Sequence, residues 1–128
     1  MDVTRESIIK VLRDTEYLLN PTQKAVSLPI INRIYKKMKH KLLFPAIHVS
    51  RNNNIINGHH RYISCLLSNF KLEMADNYSE PSDLNVFTWE TVDIVDIDYD
   101  EPDDIKELNK QDAVYNNMKI EDIESIIA

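Results

Sequence analysis

Glycine occurs once in this chain, at Gly58, between an apolar run with strand character and one with helix character. Glycine enters positive-φ conformations without steric cost, so a chain holding a single copy can make such a turn most cheaply at one place. At a strand-to-helix junction that freedom points to a tight corner, or to a backbone brought close to a ligand. A plain turn glycine is the alternative.

The chain has 128 residues and is 43% hydrophobic, enough for one domain to bury a core without covalent staples. The expectation is a single α/β (α+β) domain over 1–128, a small mixed sheet flanked by helices. Its core falls at about 20–100, with a C-terminal helical extension at about 101–128. Cys65 is the only cysteine, so no intramolecular disulfide can form, and a reducing cytoplasm is the natural setting. Asp2, Glu6 and Asp14 stand where a signal peptide would be basic and then apolar, and no later stretch is long enough to span a bilayer. A membrane is not an expected partner.

Charge divides the chain. Residues 1–71 carry 12 Lys and Arg against 4 Asp and Glu, whereas 72–128 carry 3 against 17, giving +8 and −14 and the net −6. A basic half can meet a phosphate-bearing ligand; an acidic half either folds against it or offers a surface to a basic partner.

Along the chain, Ile8, Leu12, Thr15 and Leu19 fall at helical spacing over 4–19, and Asn20-Pro21 reads as a stop. Ser27 is placed to cap a second helix with Pro29 in its first turn and Ile31, Ile34, Tyr35 and Met38 on one stripe. From Phe44-Pro45 the period becomes two, through Ile47 and Val49, then a turn at 51–54 and Ile55-Ile56, which predicts a β-hairpin. A helix of about three turns follows Gly58, carrying Tyr62, Cys65, Leu66 and Phe70. Residues 73–88 read as a loop containing at most a short helix. Trp89 to Tyr99 reads as a third strand, with a bulge at Ile94-Val95. Glu101-Pro102-Asp103-Asp104 opens a further helix whose acids suit its dipole, and 110–128 is helical in propensity.

A strand that delivers the chain through a glycine into a helix aims the first free N–H groups of that helix one way, which favours an anion. Arg61, with His59 and His60, could add donors to phosphate oxygens. These residues resemble the ParB/sulfiredoxin fold, in which a Pro-Ile-x-Val strand, a short turn and a second strand lead into Asp-Gly-His-His-Arg or a close variant. The corresponding run here is Phe44-Pro45-Ala46-Ile47-His48-Val49, then Ile55-Ile56-Asn57-Gly58-His59-His60-Arg61-Tyr62. Upstream, Asn20-Pro21-Thr22-Gln23-Lys24 is similar to the loop that leads into these domains.

The resemblance implies a nucleotide whose phosphates sit at the glycine turn: CTP in chromosome-partition proteins, ATP in sulfiredoxin, ADP or ATP in free serine kinases. It implicates Asn57, Gly58, His59, His60 and Arg61 in phosphate contact, with Gln23 and Lys24 from the leading loop; His59 and His60 are also the candidates for proton transfer, since imidazole changes charge near neutral pH. The implied cofactor is ATP or ADP with Mg2+, and the implied activity is slow hydrolysis or phosphoryl transfer to a small acceptor. His59 stands where sulfiredoxin has its cysteine, which argues against sulfinic-acid reduction. Asn57 replaces the aspartate of the kinases and lacks the charge to hold magnesium or act as a base. The chain is too short for the helix-turn-helix and dimerisation domains of partition proteins, so direct DNA binding is not expected.

A non-enzymatic alternative is an immunity or antitoxin protein that meets a basic toxin or nuclease through Asp96, Asp98, Asp100, Glu101, Asp103 and Asp104. The plainer reading of those acids is an exposed strand edge and helix start. No metal site is expected from the histidines, because His48, His59 and His60 would have to converge from different faces.

Overall fold

A computed structural model describes residues 3–128; Met1, and Asp2 of the acidic start, lie outside the described residues. Helix α1 covers Arg5–Asp14 and buries Ile8 and Leu12, with Thr4 and Ser7 closing a capping box at its start. It stops short of the expected Leu19. Residues 19 and 20 instead spend their backbone groups elsewhere: Leu19 N–H donates to the Tyr62 hydroxyl at 2.9 Å, Asn20 N–H to the Asn53 carbonyl at 2.8 Å, and the Asn20 carbonyl accepts from Ile55 at 2.9 Å.

Strand β1 (Ala25–Ser27) runs straight into α2 (Leu28–Lys39), where the Ser27 hydroxyl caps the helix and Pro29 sits in the first turn. The hairpin forms as expected from β2 (Ile47–Ser50) and β3 (Ile55–Asn57), and α3 (His59–Ser68) follows the Gly58 corner. After it comes β4 (Met74–Tyr78), in a segment whose sequence reads as loop. Ala, Asp and Asn disfavour strands. What holds β4 is its parallel ladder to β2 and the stacking of Tyr78 on His48, with ring centroids 4.1 Å apart.

The sheet expected from sequence is two sheets. Order β3-β2-β4 makes a three-stranded mixed sheet, and β1 pairs separately and in parallel with β5 (Asp93–Val95). Of the strand expected over Trp89–Tyr99 only these three residues pair; Trp89–Thr91 is a 3-10 turn. The β1–β5 register is regular through Ile94 and Val95, and the irregularity lies in β2, beside His48. Helices α4 (Pro102–Tyr115) and α5 (Ile120–Ile127) complete the chain.

One core cluster joins Ile8, Leu12, Val26, Ile31 and Ile63, and a second joins Leu19, Ile47, Val49, Ile55 and Tyr62; α3 contributes to both. A third, Leu42, Ala113 and Ile123, seats the two C-terminal helices against the end of α2. There the charge split is resolved internally. Arg33 of α2 makes a fork to Asp98 at 2.5 and 2.9 Å and reaches Asp100 at 3.3 Å, and Lys37 meets Asp112 of α4 at 2.6 Å. Lys37 is only 5% exposed, so its ammonium depends on that carboxylate. Replacing Asp112 by Leu alone should cost about 3–5 kcal/mol in urea unfolding, whereas the Lys37→Met/Asp112→Leu pair should recover most of the loss.

Candidate functional site

Gly58 follows β3 at φ 115° and ψ 30°, a left-handed conformation, and immediately precedes α3. A Cβ there would lie 2.5 Å from Ile47 Cγ2 and 3.0 Å from Arg61 Nη2, so the position disfavours any side chain on two grounds, space and backbone. The first bond of α3 runs from Tyr62 N–H to the Gly58 carbonyl at 2.9 Å, and no side chain caps the helix. Its leading N–H groups therefore have no intrahelical acceptor, and the dipole places roughly half a positive charge at this corner.

The two histidines diverge from the corner and bind different segments. Thr22 N–H donates to His59 Nε2 at 2.9 Å, and Ser27 N–H donates to His60 Nε2 at 3.0 Å. Each ring is thus a neutral acceptor with its proton on Nδ1, a tautomer assigned from these bonds. Thr22 also fixes itself to β3 through its hydroxyl, which donates to the Ile55 carbonyl at 2.6 Å. His60 meets the edge of Tyr99 at 5.9 Å. Burial pushes both imidazoles down to about 4; for His59 the neighbouring His60 adds to this, and for His60 Asp100 opposes it and Arg33 adds to it. With Nε2 committed to a backbone amide, neither ring can take a proton there without releasing the loop it holds. The geometry gives them a positioning task, fixing the leading loop and β1.

Arg61 differs from the other cations of the interior. It is partly buried, burial pulls its guanidinium below the ordinary value with Asp112 partly opposing, and it has no hydrogen-bond or ion-pair partner among the described residues. It stands in a cleft of about 610 Å³ that also gathers Gln23, Asn57, Gly58, His59 and His60. That size suits a small-molecule ligand. Lys24 is not part of the cleft: its side chain is exposed and its carbonyl accepts from Asp93 at 2.9 Å. His48 also lies outside it, against Tyr78.

The remaining wall was not legible in the sequence. Thr22, Ile30 and Ile34 come from the leading loop and α2, and Leu108 comes from α4. A second cavity of about 250 Å³ adjoins it, sharing Ile30, Ile34, Arg61 and Leu108 and running on between α2 and α4 to Asn109 and Tyr115. The helical period of α4 carries no signal that this helix closes a cleft opened some fifty residues earlier.

The acidic series is largely occupied. Asp98 and Asp100 hold Arg33, which keeps the Asp98 carboxyl below its usual range. Glu101 and Asp104 close the capping box of α4, and Asp96 is 3.7 Å from Arg5. Asp103 is exposed in the first turn of α4. Cys65 lies within α3 and burial pushes its thiol up, opposite to what a nucleophile needs. No group of three His, Cys, Asp or Glu among the described residues is placed to hold a metal ion. Nor is any described helix long and apolar enough to cross a membrane.

Gly58→Ala should cost about 2 kcal/mol or more in denaturant unfolding, from the left-handed backbone and the displaced Ile47 methyl together. Acid stability should report the histidines. The unfolded chain takes up these protons near pH 6.5 and the folded one only near 4, so stability is complete above about 6.5 and falls as pH drops toward 4. A His59→Gln/His60→Gln variant, which keeps an acceptor near each Nε2 position, should flatten the melting temperature across that window. No family model, no curated protein and no solved structure matches this chain.

Proposed function

We propose that this is a nucleotide-binding domain of the ParB/sulfiredoxin type, with the phosphates of ATP or ADP at the Gly58 corner. The observation that carries the reading is Arg61: a partly buried guanidinium with no partner among the described residues, at the start of an uncapped helix, in a cleft of about 610 Å³. A buried cation left unpaired is costly, and its five donors suit phosphate oxygens in a way that no neighbouring side chain here provides. The free amides of α3 add donors from the backbone, and Gln23 and Asn57 add neutral polar groups at the rim.

Such a site stabilises phosphate charge, which is the main demand of phosphoryl transfer. Slow hydrolysis or transfer to a small acceptor belongs to this proposal, with Mg2+ arriving on the nucleotide. The histidines, uncharged at neutral pH, keep the cleft walls in register. A reducing cytoplasm, rich in nucleotides, fits a chain with a single cysteine. The immunity reading draws less from the geometry, because Asp98, Asp100, Glu101 and Asp104 are engaged within the chain.

Isothermal titration with ATP, ADP, CTP, GTP and tripolyphosphate, with and without Mg2+, tests the reading. Arg61→Ala should weaken tripolyphosphate and nucleotide roughly ten- to a hundredfold while circular dichroism stays unchanged, and Arg61→Lys should lose less. Equal binding by Arg61→Ala, or no binding by the folded wild type, would remove phosphate from this corner. Asp96→Asn/Asp103→Asn should leave titration unaltered.

A further inference from the structure

The smaller cavity raises a question that the phosphate reading leaves open. Apart from Arg61, which it shares with the larger cleft, its charged side chains are already matched, Arg33 with Asp98 and Asp100, and Lys37 with Asp112. Gln111 and Tyr115 lie at its exposed end. Inside, the lining is largely apolar: Ile30, Ile34, Phe44, Pro45, Ile105 and Leu108. Asn109 also lines it, only 3% exposed, and its Oδ1 has no hydrogen-bond partner among the described residues and almost no accessible surface, so the oxygen reaches the cavity only when the amide turns. Leaving such an acceptor unsatisfied is unfavourable, and native interiors do so rarely and for a reason.

The two cavities adjoin, sharing Ile30, Ile34, Arg61 and Leu108. One molecule spanning both would place an anionic end at Arg61 and an uncharged end against apolar walls. On the α4 wall, Asn109 asks for a donor to its Oδ1 beside an acceptor for its Nδ2. The terminal torsion of asparagine is broad, so a small turn can present both amide atoms to the same edge. Adenine offers that pair, the N6 amine as donor beside the ring N7 as acceptor, and asparagine reads this edge in two bonds. Guanine offers two acceptors on the same edge.

We infer that the cavity between α2 and α4 is a base slot in which Asn109 reads the adenine edge. Its placement rests on the reading that nucleotide phosphates lie at Gly58, since adjacency to that cleft gives the slot its orientation.

Separate probes distinguish the two ideas: adenosine, inosine and tripolyphosphate, each titrated into wild type, Asn109→Leu, Asn109→Asp and Arg61→Ala, with thermal unfolding run on every variant. Adenosine should bind wild type roughly ten- to a hundredfold more tightly than inosine, which carries a carbonyl in place of the amine. Asn109→Leu and Asn109→Asp should bring adenosine down to the inosine level and leave tripolyphosphate untouched; Arg61→Ala should do the reverse. Equal affinity of wild type for adenosine and inosine, absence of adenosine binding, or undiminished adenosine binding by a folded Asn109 variant overturns the base slot. Should an Asn109 variant fail to fold, the adenosine-to-inosine ratio on wild type still decides. Tripolyphosphate that fails to bind beside a retained adenosine preference would defeat the phosphate reading alone.

Discussion

The corner at Gly58 is the constraint on which the rest of the arrangement hangs. The Ile47 methyl occupies the space where a Cβ would stand, so β2 and the start of α3 are packed in direct contact. From that fixed point α3 engages the first third of the chain along its length: His59 with Thr22, His60 with Ser27, Tyr62 with Leu19 and Ser64 with the Ile31 carbonyl. Four residues within two turns of helix thus satisfy buried polar groups of the leading loop, β1 and α2. A shift of α3 by one residue would break all four bonds, because successive side chains point about 100° apart. Arg61, between those ties, is left facing the cleft.

Long-range order of another kind comes from charge. The basic α2 and the acidic segment at 96–112 are held together by the Arg33 fork and the Lys37–Asp112 pair, and these seat α4 over the cleft. Buried ion pairs contribute little net stability compared with apolar replacements, yet breaking one is costly, so their effect here is to fix which face of α4 turns inward. That face carries Leu108, Asn109 and Asp112 to the cavities. The unequal charge halves of the sequence meet in part across this internal contact.

The parts of the fold legible in the sequence were those whose causes are local. Ser27 and Pro29 specify the start of α2, the turn at 51–54 specifies the hairpin, and the strand–glycine–helix order groups Asn57 to Arg61 at one corner. What escaped depends on partners far along the chain. Strand β4 has weak strand propensity and exists because β2 offers an edge; residues 15–19 follow a helical pattern but lie outside α1, and the backbone groups of Leu19 and Asn20 go to Tyr62, Trp89, Asn53 and Ile55. Positive φ values are not confined to the glycine: Asn53, Asn69, Asn77, Asn117 and Lys41 adopt them too, and four of these five are asparagine. The site divides the same way: Gln23, Gly58 and Arg61 sit in a recognisable string, but Leu108 and Asn109 reach it only through the docking of α4.

The protein as a whole is acidic, with a net charge of −6, and so repels a polyanion at long range. On the proposed reading, capture depends on what acts within the cleft, where the partly desolvated Arg61 and the helix amides are screened less than surface charges are. Salt therefore affects two opposing quantities, the distant repulsion and the near attraction, and weakens the first more because the surface charges are the more exposed. A nucleotide already carrying Mg2+ reduces the same repulsion without touching Arg61. The same proposal makes the sign of the interior charge at that one position, rather than the overall charge of the chain, what selects the ligand.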